Sequence, residues 1–150
     1  MTEPVTVLSA ALFDQLQKET FALLNTIDAE TGAPTCSAIS WIYAVNQTTL
    51  RFAIDQRSRL IANMKNNPNV TVSVFGLGTL YAIYGKASVA DGTLEGVPIK
   101  LACIDVGIDA VREAMFYGAR ITAMPEYEKT YDKRAAAKLD GQVFAALQKA

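Results

Sequence analysis

The chain has 150 residues, enough for one domain with a hydrophobic core, and we predict a single domain over residues 1–150. Its 14 basic and 15 acidic residues give a formal net charge of -1 without long runs of either sign, which excludes the basic surface of a nucleic-acid-binding protein. Hydrophobic residues make up 51% of the chain, an apolar balance that suits a buried interface between two copies.

The chain contains no histidine, and this excludes several kinds of catalysis. Ser–His–Asp and Cys–His nucleophilic schemes need that residue, as do histidine-ligated metals. An enzyme of this composition would therefore take its chemistry mainly from a cofactor. The two cysteines, Cys36 and Cys103, are far apart and in no metal-binding spacing, so we expect reduced thiols and no metal site.

The first residues, "MTEPVTVLSAALFDQLQKET", lack the basic flank and the apolar core of a secretory signal. No apolar run approaches the length that a membrane-spanning helix needs. We therefore expect a cytoplasmic protein without a membrane partner.

The first predicted element is a helix from Ser9 to about Lys18, because apolar residues recur at helical spacing behind a serine cap. The segments "FALLNTID", "TCSAISWIYAV" and "TLRFAID" follow, and turn residues separate them. Their apolar, β-branched and aromatic residues predict a three-stranded antiparallel meander. A short amphipathic helix over residues 58–66 comes next. Further strands are predicted in "NVTVSVFG", "TLYAIYGKASVA" and "IKLACIDVGI", with "GLG" as a loop between two of them.

Beyond Asp109 the pattern becomes helical again. "DAVREAM" predicts about two helical turns, "GARIT" a last strand, and residues 126–149 a helix or a pair of helices interrupted near Gly141. In this last region Val143, Phe144 and Leu147 need a surface to pack against. Six strands interrupted by one helix predict a mainly β fold, a small barrel with flanking helices and a helical C-terminal tail.

The start of the helix at residue 58 has an unusual distribution of charge. Ser58 is a good N-cap, but Arg57 and Arg59 beside it face the positive end of the helix dipole, which costs about 0.3–1 kcal/mol for each exposed arginine. A phosphate held by backbone N–H groups, the Ser58 hydroxyl and an arginine would make the arrangement favourable. The alternative is that Arg57 pairs with Asp55 and Arg59 points into water.

A family resemblance rests on the order of these elements. The meander ending in "RFAIDQRSRL", the helix closing in "KNNPNVTVSVFG" and the strand ending in "YGKASV" resemble the FMN-binding split barrels of the pyridoxamine 5′-phosphate oxidase-like superfamily, over about residues 20 to 90. The resemblance implies a six-stranded, Greek-key-like split barrel that forms a homodimer and binds FMN at each end of the subunit interface.

The resemblance also implies which residues bind the cofactor. Ser58 and Arg59 correspond to the family's contact with the flavin phosphate, and Arg57 is a further candidate for that contact. The backbone of two strands would pass the flavin ring, where Trp41 is either a wall of the site or an ordinary core or interface tryptophan. The complete set of expected cofactor-binding residues is Ile39, Ser40, Trp41, Ala53, Ile54, Arg57, Ser58 and Arg59.

The chain departs from the oxidases proper at Ala38, Leu60 and Leu80, where they carry an arginine, a lysine and a glutamine. Each departure removes a polar contact to FMN, and the histidine of their substrate site is missing, so we do not expect oxidation of pyridoxamine phosphate. Haem-degrading relatives use a histidine ligand and are disfavoured as well.

The expected function is that of a flavin-dependent oxidoreductase acting on an unidentified small molecule. The alternative is a non-catalytic flavin-binding or stress-response module that holds flavin weakly or has lost it. A deazaflavin is the alternative cofactor. The sequence leaves open whether the C-terminal tail packs on its own barrel or crosses to the partner.

Overall fold

The computed structural model describes residues 5–150, and within them it has one seven-stranded antiparallel sheet and three α-helices. The strands are β1 (Ala22–Ile27), β2 (Pro34–Ile39), β3 (Ile42–Asn46), β4 (Thr49–Asp55), β5 (Asn69–Gly76), β6 (Thr79–Val89) and β7 (Leu101–Glu113). The helices are α1 (Ala10–Gln15), α2 (Arg59–Asn66) and α3 (Lys133–Lys149). Over the same described part of the chain, no helix combines the length and the apolar character needed to cross a bilayer.

The sheet is curled into a split barrel. Its strand order is β2-β1-β5-β6-β7-β4-β3, so the two edge strands follow each other in the chain and are joined only by Ser40 and Trp41. The edges of a flat seven-stranded sheet would lie about 29 Å apart, whereas the step from Ile39 to Ile42 spans at most about 11 Å. The sheet must therefore curve until its edges approach each other at Ser40 and Trp41, which confirms the mainly β split barrel.

The predicted number of six strands is wrong, because "TCSAISWIYAV" forms two strands instead of one. Its first half, β2, pairs with β1, with Ile39 opposite Ala22. Its second half, β3, pairs with β4 at the other edge of the sheet, with Ile42 opposite Phe52. The predicted continuous meander is therefore also wrong. The segment has no glycine, proline, asparagine or aspartate that would mark the break.

The structure also corrects the predicted "DAVREAM" helix. Residues 109–113 of this segment are the end of β7, which runs to Glu113 and pairs with β6 from Ile104 onward. Asp109 is an extra residue in this ladder, between the pairs Tyr84–Ala110 and Gly85–Ile108. Such a bulge breaks the two-residue alternation of a strand. The sequence pattern beyond Asp109 therefore no longer indicated a strand.

The remaining C-terminal predictions are corrected in part. Residues 114–132 contain no helix or strand, so the strand predicted in "GARIT" is wrong. The helix α3 begins at Lys133 and not at residue 126, and it passes through Gly141 without interruption. A glycine inside a helix costs about 1 kcal/mol, and the complete burial of Val143 and Leu147 on the same helix offsets that cost.

Two apolar clusters hold the fold together. The larger one fills the barrel under α1 and α2, and its fully buried members include Leu12, Leu16, Leu24, Phe52, Val72 and Ile104. The smaller one joins α3 to the outer side of the barrel and contains Ala53, Leu94, Leu101, Cys103, Val143, Ala146 and Leu147. The apolar face predicted for the tail thus packs on the barrel of its own chain.

Two local predictions, one helix cap and one loop, are confirmed. Ser9 caps α1, its hydroxyl accepting a hydrogen bond of 3.1 Å from the backbone N–H of Leu12. The "GLG" segment is the tight hairpin between β5 and β6, and its residues Leu77 and Gly78 have φ angles of 55° and 78°. Glycine adopts this left-handed conformation without strain, whereas leucine does so at a cost.

Candidate functional site

A cavity of about 430 Å³ opens where the two edges of the sheet approach each other. The β2–β3 connection, the end of β4, the first turn of α2 and the segment before α3 form its walls. The lining residues are Ser37, Ala38, Ile39, Ser40, Trp41, Ala53, Ile54, Asp55, Ser58, Leu60, Lys129 and Tyr131. Its size is typical of a binding site for a small molecule.

The strand break, which is the interruption between β2 and β3 at Ser40 and Trp41, explains why backbone and side chains of both sheet edges meet at this cavity. The carbonyl of Trp41 accepts a hydrogen bond of 3.0 Å from the backbone N–H of Ala53, which ties the connection to β4. Six of the expected cofactor-binding residues line the cavity together, namely Ile39, Ser40, Trp41, Ala53, Ile54 and Ser58. The side chains of Arg57 and Arg59 do not line it.

Ser58 caps α2, as the sequence predicted. Its hydroxyl oxygen accepts a hydrogen bond of 3.2 Å from the backbone N–H of Leu60, and its backbone is extended at φ -62° and ψ 134°. Ser58 and Leu60 line the cavity, so the start of the helix lies at it. The backbone N–H groups of Leu60 and Ile61 already donate to Ser58, which leaves the backbone N–H of Arg59 and the hydroxyl proton of Ser58 available to an acceptor. An anion is the ligand favoured at such a helix end.

Arg57 forms the ion pair that was the alternative reading of this segment. Its Nη2 lies 3.1 Å from Oδ2 of Asp55, and its backbone N–H also donates to that carboxylate at 2.8 Å. The hydrogen bonds from the Arg57 side chain and backbone lower the pKa of Asp55. Because the Arg57 side chain is 85% exposed, solvent screens the pair, which contributes little to stability and is easily exchanged.

Arg59 is the first residue of α2 and is exposed. Its side chain forms no ion pair with another side chain of residues 5–150. It lies beside Ser58 at the positive end of the helix, where the dipole disfavours a cation in the absence of an anion.

The C-terminal segment contributes Lys129 and Tyr131 to the lining of the cavity, and neither residue was predicted there from the sequence. The Nζ of Lys129 lies 2.6 Å from Oε1 of Glu19 and 3.5 Å from Oδ2 of Asp140. Burial disfavours the ammonium, but the Glu19 carboxylate outweighs that effect and raises the pKa of Lys129. The motif "EYEKTYDKR" looks like a solvated helix face, and no local pattern indicates a long-range contact.

Trp41 lies between the cavity and the apolar core of the protein. It lines the cavity and it also packs against the smaller apolar cluster under α3. Its indole N–H donates a hydrogen bond of 2.8 Å to Oδ1 of Asp140 on α3. Trp41, Asp140, Lys129 and Glu19 thus form a continuous polar chain at one side of the cavity.

Two of the three departures from the oxidases lie at this cavity. Ala38 and Leu60 line it, whereas Leu80 is on β6 opposite Phe75 and does not. The charged side chains in the lining, Asp55 and Lys129, are both paired, with Arg57 and Glu19 respectively. The cavity therefore offers apolar walls, hydroxyl groups and a helix N-terminus, which suits binding of a flat molecule with an anionic end.

Comparison with solved structures gives matches over most of the chain, at identities that establish only the fold. A candidate pyridoxamine 5′-phosphate oxidase from Lactobacillus delbrueckii has a TM-score of 0.62 at 15% identity, with 72% of this chain and 95% of that chain covered. An F420 reductase has a TM-score of 0.56 at 19% identity and coverage of 70% and 98%. An FMN-binding protein from Syntrophomonas wolfei has a TM-score of 0.52 at 15% identity and coverage of 71% and 83%. No curated protein sequence matches the chain significantly.

A family model gives the assignment. The model described as pyridoxamine 5′-phosphate oxidase matches residues 8–97, which contain β1 to β6 and every cofactor-binding residue expected from the sequence. The segment that supplies Lys129, Tyr131 and Asp140 lies outside this match. Because the match covers more than half of the chain, the protein belongs to the pyridoxamine 5′-phosphate oxidase family.

Proposed function

We propose that this protein binds FMN in the cavity beside Ser40 and Trp41 and is a flavin-dependent oxidoreductase acting on a small organic molecule. The observation that carries the proposal is the position of the α2 N-terminus, capped by Ser58, at the same cavity as the apolar side chains of Ile39 and Ile54. An anion site and flat apolar walls within one cavity match the two ends of a flavin nucleotide. The structural similarity to an FMN-binding protein supports this choice of ligand.

The residues present fit the phosphate end of FMN. The Ser58 hydroxyl and the backbone N–H of Arg59 would hold the phosphate, and the backbone N–H of Leu60 would join them if the Ser58 side chain turned from it toward the ligand. Arg59 would add a charged hydrogen bond from the adjacent helix position. Arg57 would join it by exchanging its exposed pair with Asp55 for the phosphate.

The other walls fit a flat ring system. Ile39, Trp41 and Ile54 would cover the ring and exclude water, while backbone groups of the strand break would donate and accept hydrogen bonds at its polar edge. Bound FMN supplies hydride and electron transfer, so the protein has only to bind, orient and shield it. No side chain then needs to act as a general acid or base, in keeping with a chain without histidine.

The proposal includes a homodimer in the cytoplasm. The exposed aromatic residues Tyr84, Phe116 and Tyr117 support a subunit interface. Ala38 lines the cavity and is exposed on the edge strand β2, so a second copy bound at this edge would cover the cavity from that side. Both cysteines are free thiols, as in proteins of a reducing compartment. Light scattering of the purified protein measures the mass of the assembly.

The second candidate is a non-catalytic module that holds flavin weakly. Ala38 and Leu60 favour it, because both line the cavity at positions where the oxidases have cations. A deazaflavin is the alternative cofactor, and the likeness to an F420 reductase supports testing it.

One set of titrations separates these functions. The purified protein is titrated with FMN, riboflavin and a deazaflavin while thermal unfolding is followed, since a ligand of the folded state raises the midpoint. We expect FMN to stabilise more than riboflavin, because riboflavin lacks the phosphate. The flavin absorbance is then followed on addition of NADH or NADPH. Bleaching supports turnover, binding without bleaching by any donor supports the module, and no stabilisation by any flavin refutes the proposal.

A further inference from the structure

Trp41 is held in place from outside the cavity that it lines. Its indole N–H donates a 2.8 Å hydrogen bond to Oδ1 of Asp140, a residue of α3 that does not line the cavity. An aspartate acceptor makes this a charged hydrogen bond, which is stronger than one to a neutral group. The position of the indole in the cavity wall is therefore fixed by Asp140 in the C-terminal helix α3.

The position of Asp140 is itself well determined. Its side chain is 17% exposed, and Oδ2 lies 3.5 Å from Nζ of Lys129. Lys129 in turn lies 2.6 Å from the carboxylate of Glu19, in the loop before β1. The complete burial of Val143 and Leu147 docks the rest of α3 on the barrel. The acceptor for the indole is thus fixed by the helix behind it and by an ion pair beside it.

The strand break makes this support necessary. Trp41 lies between β2 and β3, outside both strands, and its carbonyl is held by the N–H of Ala53. The backbone bond does not select among the staggered side-chain conformations of the indole. The hydrogen bond to Asp140 does, because it forms only in a conformation that directs the indole N–H toward α3.

We propose that Asp140 is a positioning residue, which fixes the indole of Trp41 as a wall of the cavity and so raises the affinity of the cavity for a flat aromatic ligand. Lys129 and Glu19 support it by holding the Asp140 carboxylate in place. The part that concerns affinity rests on the proposed FMN binding. The part that concerns the indole does not, and it is measurable in the protein without ligand.

The test uses the fluorescence of Trp41, which is the only tryptophan of the chain. In Asp140→Ala the indole loses its acceptor and samples more solvent, so we expect the emission maximum to shift to longer wavelength. We also expect roughly tenfold weaker FMN binding, the lower end of the range for a hydrogen bond to a charged group. Lys138→Ala, an exposed position of the same helix, is the matched control and is expected to change neither quantity.

Two further variants distinguish positioning from a general structural role. Asp140→Asn keeps an oxygen acceptor but loses the charge, so we expect it to restore most of the wild-type emission. In a Trp41→Phe background there is no indole N–H, so Asp140→Ala should have no further effect on FMN affinity. If Asp140→Ala instead weakens FMN binding by disturbing the packing of α3, the loss of affinity would also occur in the Trp41→Phe background. That result would overturn the inference.

The failures of this inference and of the proposed function are distinct. If the wild type binds FMN and Asp140→Ala changes neither emission nor affinity, the inference is wrong and the proposed function stands. If the wild type binds no flavin, the proposed function is wrong and the claim about affinity falls with it. The emission of Asp140→Ala then decides the claim about the indole.

Discussion

Arg51 and Asp105 are directly opposite each other in the β4–β7 ladder, and the guanidinium binds both carboxylate oxygens, at 2.7 Å and 3.2 Å. The same guanidinium donates to the backbone oxygens of Leu147 and Ala150 at 3.0 Å and 2.7 Å. Arg51 therefore links the sheet to the C-terminal end of α3, where carbonyl groups lack partners within the helix.

The first prediction follows from this double role. Arg51→Ala should lower the free energy of unfolding by about 2 kcal/mol, because charged hydrogen bonds to a carboxylate and to a helix end are lost together. Arg112→Ala removes an exposed arginine from β7 and is the control, with little change expected. Urea unfolding followed by circular dichroism measures both, and equal losses in the two variants would contradict this role.

The β5–β6 hairpin gives the second prediction. Leu77 is 59% exposed and has a φ of 55°, a conformation that costs a non-glycine residue about 1–2 kcal/mol. Asparagine tolerates this region, and Asn-Gly is the preferred pair in such turns. Leu77→Asn should therefore stabilise the protein by about 1 kcal/mol in thermal unfolding. Leu77→Ala removes the same exposed side chain but keeps the unfavourable φ, so a similar gain in both variants would rule out backbone strain as the cause.

These elements show what local sequence can and cannot predict. Ser9 and Ser58 were identifiable as helix caps because a cap acts on its own first turn. The break at Ser40 and Trp41 was not, since it arises from curvature of the whole sheet and from pairing at two distant edges. Six of the residues that line the cavity at this break were still among those named from the sequence, because the resemblance to a known family carried information that alternation alone did not.

The C-terminal part of the site could not be predicted for a related reason. Lys129 contacts Glu19 across 110 positions of sequence, and Trp41 contacts Asp140 across 99. Nothing in the sequence around Lys129 distinguishes it from a solvated lysine. Its role depends on where α3 docks, and that is set by burial of Val143 and Leu147 against the barrel.

The third prediction concerns a buried polar contact between α2 and β1. The Nδ2 of Asn63 donates to Oγ1 of Thr26 at 3.0 Å, and its Oδ1 accepts from the backbone N–H of Ala29 at 3.0 Å. Asn63 is 2% exposed, so a truncated side chain leaves the backbone N–H of Ala29 without a bond and leaves Thr26 Oγ1 with its bond to Thr35 Oγ1 alone. Asn63→Ala should cost about 2–4 kcal/mol of stability. Asn66→Ala, exposed on the same helix, should cost far less in the same denaturant titration, and a small loss for Asn63→Ala would show that water replaces the contacts.

The fourth prediction concerns the two thiols. Cys36 is exposed and Cys103 is buried. Burial, reinforced by the charge of Asp105, raises the pKa of the Cys103 thiol above its ordinary value of 9.0. Since only the thiolate reacts with alkylating reagents, Cys36 should be modified first by iodoacetamide at neutral pH, as read by peptide mass mapping. Faster modification of Cys103 in the folded protein would contradict the burial.

The raised pKa of Cys103 makes the folded protein less stable at high pH. The pKa of the Cys103 thiol is higher in the folded protein than its ordinary value of 9.0, which applies to the unfolded chain. As the pH rises through 9.0, the unfolded chain therefore loses the thiol proton before the folded protein does. The contribution of the buried thiol is present below that pH and is lost as the pH rises. Cys103→Ala should therefore show a smaller decline in stability between neutral pH and pH 10 than the wild type, and Cys36→Ala should follow the wild type.

The fifth prediction tests the charge at the start of α2. Arg59 is exposed at the positive end of the helix, beside Ser58. Without ligand, Arg59→Ala should leave stability unchanged or raise it slightly, because an unfavourable interaction of about 0.3–1 kcal/mol with the helix dipole is removed. With FMN the sign should reverse, since the loss of a charged hydrogen bond to the phosphate weakens binding by about 1.5–3 kcal/mol.

The control for this charge is Lys65→Ala, which removes an exposed cation from the last turn of the same helix. There the dipole favours a cation, so Lys65→Ala should lower stability slightly and leave FMN binding unchanged. Riboflavin provides a second control, because it lacks the phosphate and should bind wild type and Arg59→Ala equally well. If Arg59→Ala weakens FMN and riboflavin to the same extent, Arg59 acts on the ring or on the fold and not on the phosphate. Only a loss confined to FMN is consistent with a phosphate site at the N-terminus of α2.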